Sequence, residues 1–209
     1  GKYLVCADYD NHLPENFMEM DRAARAKVLA DRKKEKDYEV FTELPFWRNG
    51  GGITDKHRDR LYLFDSCDGS MKPLTGPLYL LEGYSLSKDC NKLVYFGSEF
   101  TSVQSLKQEL VEVDLVTGNS EVLIPMGSWD IHRADYAGDQ LMVVATENKN
   151  YGINENSDLY CYDRDGHSLQ LVCSPDRSWS SSVGSDCRYG GGKSMVCEAD
   201  GVSWISTER

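Results

Sequence analysis

Three short segments of the chain end on an aspartate, and those aspartates stand 49 residues apart: Asp65, Asp114 and Asp163 close "RLYLFD", "ELVEVD" and "DLYCYD". Apolar and polar residues alternate in each segment, which is the period of a half-buried strand. A turn follows each one, through Gly69, Gly118 and Gly166, and then comes a further strand-like stretch: "MKPLT", "NSEVLIP" and "HSLQLVC". An aspartate at this place accepts hydrogen bonds from the backbone of the turn behind it, so its recurrence requires no catalysis. A repeat of this kind restricts the fold more than any single motif, because each copy buries its faces only against its neighbours.

Upstream of the second and third copies, "SKDCNKLVYFGSE" (87–99) and "YAGDQLMVVATE" (136–147) add a polar hairpin and another strand. "GKYLVCADYD" (1–10) holds the same place ahead of "RLYLFD", while "RYGGGKSMVCEAD" (188–200) and "VSWIST" (202–207) open a fourth copy. Short antiparallel strands in units of about four, repeating every ~40–50 residues, are the signature of β-propeller blades. The expected fold is all-β: a partial β-propeller of about four consecutive four-stranded blades, the outer ones incomplete, with one helical insertion. Starting on a second strand and stopping within a third, the chain reads as part of a longer one. Its open blade edges would allow homo-oligomers.

Residues 1–209 are thus assigned to the propeller, with 11–59 as an insertion within the first blade. In it, "PENFMEMDRAARAKVLADRKKEKDYE" (14–39) reads as helical: Pro14 suits a first turn, and Phe17, Met20, Ala24 and Val28 recur on one face. The opposite face is dense in charge, either solvated or an arm for a partner. The insertion closes with "FTELPFWRNGGGITDKHRDRLYLFD" (41–65), in which Gly50, Gly51 and Gly52 precede Lys56, His57, Arg58 and Arg60, with Arg48 upstream. That cluster is either an anion site or a loop-to-strand junction.

The formal charge of −11 speaks against nucleic acid or an anionic membrane as partner, since either selects a basic face. No apolar run approaches the ~20 residues needed to span a bilayer, and the start lacks a signal pattern. Seven cysteines form no C-x-x-C pair, and Cys6, Cys161 and Cys197 fall inside apolar runs, where a free thiol acts as a small hydrophobe. Reduced, buried cysteines in a cytoplasmic protein are expected, with disulfides as the alternative.

"GGGKS" (190–194) has the tail of a phosphate-binding loop, but Cys187 stands where that pattern needs glycine and a strand follows the lysine. His12, His57, His132 and His167 are scattered without metal-ligand spacing, so neither metal nor cofactor is expected. "WDIHRADY" (129–136) carries Trp129, His132, Arg133 and Asp135 where a blade's innermost strand belongs, and the next copy offers Trp179, Asp186 and Arg188. Trp129, His132, Arg133, Trp179 and Arg188 are the candidate substrate-channel residues. The alternative is that such groups satisfy one another between blades.

The stretch from "DRKKEKDYE" through "RLYLFD" to "PLTG" (31–76), with "YSLSKDCNKLVYFGSE" (84–99), resembles the N-terminal propeller of prolyl-oligopeptidase-family serine peptidases. The nearest branch is the acylaminoacyl-peptidase and dipeptidyl-aminopeptidase-like one. Leu86 and Cys90 depart from the pattern, standing where proline and glycine are usual in the recurring hairpin, and TolB-like propellers share that hairpin. The resemblance implies a parent enzyme whose catalytic serine, aspartate and histidine lie in a separate α/β-hydrolase domain. Such a domain presents its nucleophile on a Gly-x-Ser-x-Gly elbow, and no serine of this sequence sits in that frame; "GYSLS" (83–87) and "GHSLQ" (166–170) come nearest. It follows that no catalytic residue is expected here. The implied role is that of a non-catalytic propeller that caps the active site and limits access to short or acylated peptides, with the hydrolase domain and the peptide as partners. The alternative is a TolB-like protein-binding module with no peptidase activity.

Overall fold

The computed structural model of the chain describes residues 1–14, 16–34, 37–177, 179, 196–199 and 202–205. Contacts divide it into two units, one of residues 1–80 and 99–104, the other of residues 81–98 and 105–209. In the first, β1 (Lys2–Asp10) pairs antiparallel with β4 (His57–Asp65), from Lys2 opposite Asp65 to Asp10 opposite His57. β5 (Met71–Pro73) lies on the other side of β4. The third strand of this blade therefore begins at His57, ahead of the Arg60 that alternation alone suggested, because the ladder with β1 continues through its basic residues.

Between β1 and β4 lie a turn of 3-10 helix (Phe17–Glu19), helix α1 (Arg22–Lys34) and the hairpin β2 (Trp47–Arg48) to β3 (Gly52–Ile53). The helix is shorter than the 14–39 expected. Asp21 sets its start, since its carboxylate accepts a hydrogen bond from the Ala24 amide at 2.8 Å, as an N-cap does. Pro14 belongs to the preceding turn, where its carbonyl accepts from the Phe17 amide. The expected apolar stripe of Phe17, Met20, Ala24 and Val28 is half-buried, and Arg32, Lys33 and Lys34 occupy the last turn, where cations suit the helix dipole.

The sheet of the second unit runs in chain order through β6 (Tyr79–Leu86), β7 (Lys92–Glu99), β8 (Gln108–Asp114), β9 (Ser120–Ala137), β10 (Gln140–Thr146), β11 (Asp158–Asp163) and β12 (Ser168–Cys173). At 18 residues, β9 serves two blades. Its first part pairs with β8, Leu110 opposite Ile124, and its second part pairs with β10, Leu141 opposite Tyr136. The pairing passes from β8 to β10 between Trp129, opposite Gln108, and Asp130, opposite Thr146, just beyond Gly127 with its φ of 96°. Thus β6, β7, β8 and the start of β9 form one four-stranded blade, and the rest of β9 with β10, β11 and β12 forms the next. A hairpin of β13 (Val196–Ala199) and β14 (Val202–Ile205) stands where the fourth copy was expected to open; "GGGKS" lies outside the described residues. The fold class is all-β, a partial β-propeller in its blade architecture.

The run "LMVVA" in β10 is continuously apolar because both of its faces are covered. Leu141, Val143 and Ala145 meet Val94, Phe96, Leu110, Leu123 and Ile124 of the preceding blade. On the reverse face, Met142 and Val144 pack with Leu159 and Trp179. Each such side chain contributes about 1.5–3 kcal/mol through burial. Gly83 of β6 allows the Phe96 ring to lie close, since a Cβ there would sit 2.7 Å from the ring. A polar bracket joins the two blades: Glu112 of β8 accepts two hydrogen bonds from Arg164, at 3.0 and 2.6 Å, and one from the Tyr136 hydroxyl at 2.8 Å. Burial raises the Glu112 carboxyl, but Arg164 and Tyr136 outweigh that and hold it below the usual glutamate range.

The recurring aspartates cap their turns. Asp114 Oδ1 accepts from the Val116 and Thr117 amides at 2.9 and 2.8 Å, Asp65 from Cys67 at 2.9 Å, and Asp163 from Asp165 at 3.1 Å. The cysteine expectation needs correction: among the described residues, Cys6 is exposed and Cys161 half-buried. β1 is an outer strand of its three-stranded sheet, so Cys6 lacks the cover that Leu61 receives opposite it. No described helix is long and apolar enough to cross a membrane.

Cys90 sits in the hairpin before β7 with a φ of 57°, a left-handed conformation that costs a side-chain-bearing residue about 1–2 kcal/mol. Offset by the greater unfolded-state entropy of glycine, Cys90→Gly is expected to stabilise the protein by about 0.5–1 kcal/mol. A urea titration checks this; an unchanged or lower midpoint would show that the turn holds cysteine without strain.

Candidate functional site

Of the five candidate channel residues, the structure brings three together. His132 and Arg133, on the second part of β9, line a recess of about 410 Å³ with Glu155, Asn156, Ser157 and Trp179. Trp179 is buried and donates its indole N–H to the Ser157 carbonyl at 2.7 Å, so it forms the floor of the recess. Trp129 lies elsewhere: its ring meets Tyr160 edge-on at 4.9 Å and packs against the inter-blade core. Arg188 and Asp186 lie outside the described residues. Asp130, next to Trp129 in sequence, accepts from the Asn148 side chain at 2.8 Å and stands 3.6 Å from His132 Nε2.

The periodicity gave no hint of Glu155, Asn156 and Ser157, which sit in an irregular turn before β11. Glu155 organises that turn, accepting from the Asn150 and Tyr151 amides at 2.6 and 3.1 Å and from the Thr146 hydroxyl at 3.1 Å. The backbone amides hold its carboxyl below the usual range. Asn156 donates to Asp176 at 2.9 Å. The recess is lined by an imidazole, a guanidinium and a serine beside the buried Trp179 indole, and Glu155 is engaged by its own loop. Such a surface suits main-chain carbonyl groups.

The basic cluster of the insertion resolves differently. Arg58, 2% exposed, donates to Glu43, 1% exposed, at 2.6 Å, and to the Phe100 carbonyl at 2.8 Å, with its guanidinium 4.4 Å from the centre of the Phe100 ring. Lys56 reaches the other side of this site: its ammonium is 2.8 Å from Glu43 Oε1, and its amide donates to Oε2 at 2.9 Å. Asp55 accepts from the Thr42 and Glu43 amides at 2.9 and 3.1 Å and approaches His12 at 3.3 Å. His57 is 3.2 Å from Asp8. Most of these charges are therefore spent within the fold, and for Arg58 the junction reading prevails over the anion site. The overlooked signal was Glu43 and Asp55, two carboxylates set among the same cations. Arg60 stands apart from this network.

No protein-family model matches the chain, and no curated protein matches it. Among solved structures it is similar to TolB from Acinetobacter baumannii, at 19% identity over 56% of this chain and 27% of that one, with a TM-score of 0.39. It is also similar to the acylaminoacyl peptidase of Pyrococcus horikoshii, at 13% identity over 82% of this chain and 23% of that one, with a TM-score of 0.47. A third is an acylaminoacyl peptidase in complex with Z-Gly-Gly-Phe-chloromethyl ketone, at 15% identity over 55% of this chain and 20% of that one, with a TM-score of 0.39. The chain spans about a quarter or less of the length of each of these proteins. Among the described residues no cluster of side chains has the makings of a metal site.

Glu43 provides a test of the buried network. Burial raises its carboxyl, yet hydrogen bonds from Arg58 and Lys56 outweigh that and hold it below the ordinary glutamate range. Its stabilisation is complete above the unfolded glutamate value, about 4.3, and is lost as pH falls through the lower folded value. Glu43→Gln leaves Arg58 buried without its acid and is expected to cost about 3–5 kcal/mol at pH 7, with the gap to wild type closing below about pH 4. Urea unfolding across pH, with hydrogen exchange at the Thr42 and Lys56 amides, measures this. A gap independent of pH would mean that the pair does not act through charge.

Proposed function

We propose that the chain is the non-catalytic propeller portion of a serine peptidase of the prolyl-oligopeptidase family, in which it caps the active site and admits short or acylated peptides. The recess of His132, Arg133 and Ser157 over the Trp179 floor carries this reading. It opens on the first strand of a blade and offers donors for peptide carbonyls beside an apolar surface. The sequence resemblance of residues 31–99 adds the family, and the lack of a Gly-x-Ser-x-Gly elbow in these 209 residues makes the part non-catalytic. Hydrolysis in the parent would proceed through an acyl-enzyme formed on another domain, with this chain selecting by size and by main-chain contacts.

The isotope-labelled chain, titrated with N-acetyl-trialanine and followed by amide chemical shifts, tests the proposal. Saturable shifts at His132, Arg133 and Ser157, with no release of p-nitroaniline from N-acetyl-alanyl p-nitroanilide, are the expected result. No movement across residues 130–157 at millimolar peptide would defeat the peptide reading and favour a TolB-like protein-binding module. Turnover of the anilide would defeat the non-catalytic one.

A further inference from the structure

The charge of Arg60 is unspent. This residue of β4 is 9% exposed, and its Nε and one terminal nitrogen both donate to the Thr75 carbonyl, at 3.2 and 2.8 Å. Its guanidinium lies 4.6 Å from the centre of the Tyr9 ring and 5.3 Å from that of Tyr62. No carboxylate is among these contacts. The acids nearby are engaged elsewhere: Glu43 by Arg58 and Lys56, Asp55 by backbone amides and His12, Asp10 by Arg32, and Asp8 by His57. Asp59, next in the strand, is exposed and alternates to the opposite face. A buried cation without a counter-charge is costly, and aromatic faces compensate only in part.

Arg60 also lines a cavity of about 700 Å³ in the first unit, together with Lys56, His12, Leu13, Val40 and Leu78. That volume falls within the range of small-molecule sites, which pair an apolar lining with a few placed polar groups. Of the two basic side chains that line it, Lys56 is paired with Glu43, whereas Arg60 has no acid among its contacts. One anionic group would supply the missing counter-charge, while Leu13, Val40 and Leu78 suit an uncharged body. We infer that this cavity binds a small organic carboxylate, its anionic group held by Arg60 and its apolar body by Leu13, Val40 and Leu78. Phosphate would bring a second charge and no body, and so fits the lining less well. The site lies in a different unit from the His132 recess and does not depend on it.

Calorimetry on the 209-residue chain with N-acetyl-leucine, its neutral amide and inorganic phosphate tests this. The carboxylate is expected to bind and to raise Tm, and the amide to bind at least about tenfold more weakly, since it loses the charge-assisted hydrogen bonds. Arg60→Gln should lower carboxylate affinity by a similar factor and Arg60→Lys by less, with shifts at the Tyr9 and Leu78 amides and none at His132. Equal affinity for carboxylate and amide, or phosphate binding as tightly as N-acetyl-leucine, overturns the inference; so does a lack of carboxylate binding. Should Arg60→Gln fail to fold, the acid-amide comparison on the wild type decides alone.

Discussion

A four-stranded blade has two apolar faces and no means of covering both by itself. In the second unit this constraint is met by a shared strand. β9 closes one blade against β8 and opens the next against β10. The face bearing Val94, Phe96 and Leu110 is thereby set against that of Leu141, Val143 and Ala145. Glu112 then binds Arg164 and Tyr136 across the same junction, which places a charged bracket at the edge of an apolar contact. The Asp-capped turns and the Gly83 contact with Phe96 are details that this arrangement requires.

In the first unit the long connection between β1 and β4 leaves most of its large apolar side chains exposed. Glu43 and Asp55 supply its order by gathering backbone amides of the segment itself with cations from the start of β4 and the imidazole of the turn after β1, and Arg58 also donates to the Phe100 carbonyl. The Leu44 amide and carbonyl add hydrogen bonds with Ser102 and Gln104. Polar satisfaction substitutes here for a core. It fixes residues 42–58 while leaving Tyr38, Val40 and Trp47 largely exposed.

Much of the blade pattern was legible from the sequence. β8 and β11 fall on the segments that end in Asp114 and Asp163, and Ala24 and Val28 are half-buried on α1 as their spacing suggested, with Phe17 and Met20 half-buried in the turn before it, because alternation and helical spacing report burial directly. What escaped had a tertiary origin. The helix begins just after Asp21 because a side-chain cap outranks a proline seven residues before that cap that suited a first turn. Cys6 looked buried since its strand is apolar, but burial depends on a neighbouring strand that periodicity does not count. The basic cluster looked like a ligand site because its acids lie up to 15 residues away in sequence, as Glu43 does from Arg58. Trp129 and Trp179 were grouped by equivalent position, whereas one packs into the inter-blade core and the other closes the reverse face.

The shared strand also governs where this chain tolerates changes in length. A single residue gained or lost in either half of β9 would reverse the inside and outside of that half and unseat the blade paired to it. Between Asp10 and His57 the two strand ends are pinned opposite each other by the ladder itself, so the chain in between is free to lengthen. Natural variation and engineered grafts alike should gather there, in the loop that the blades do not measure.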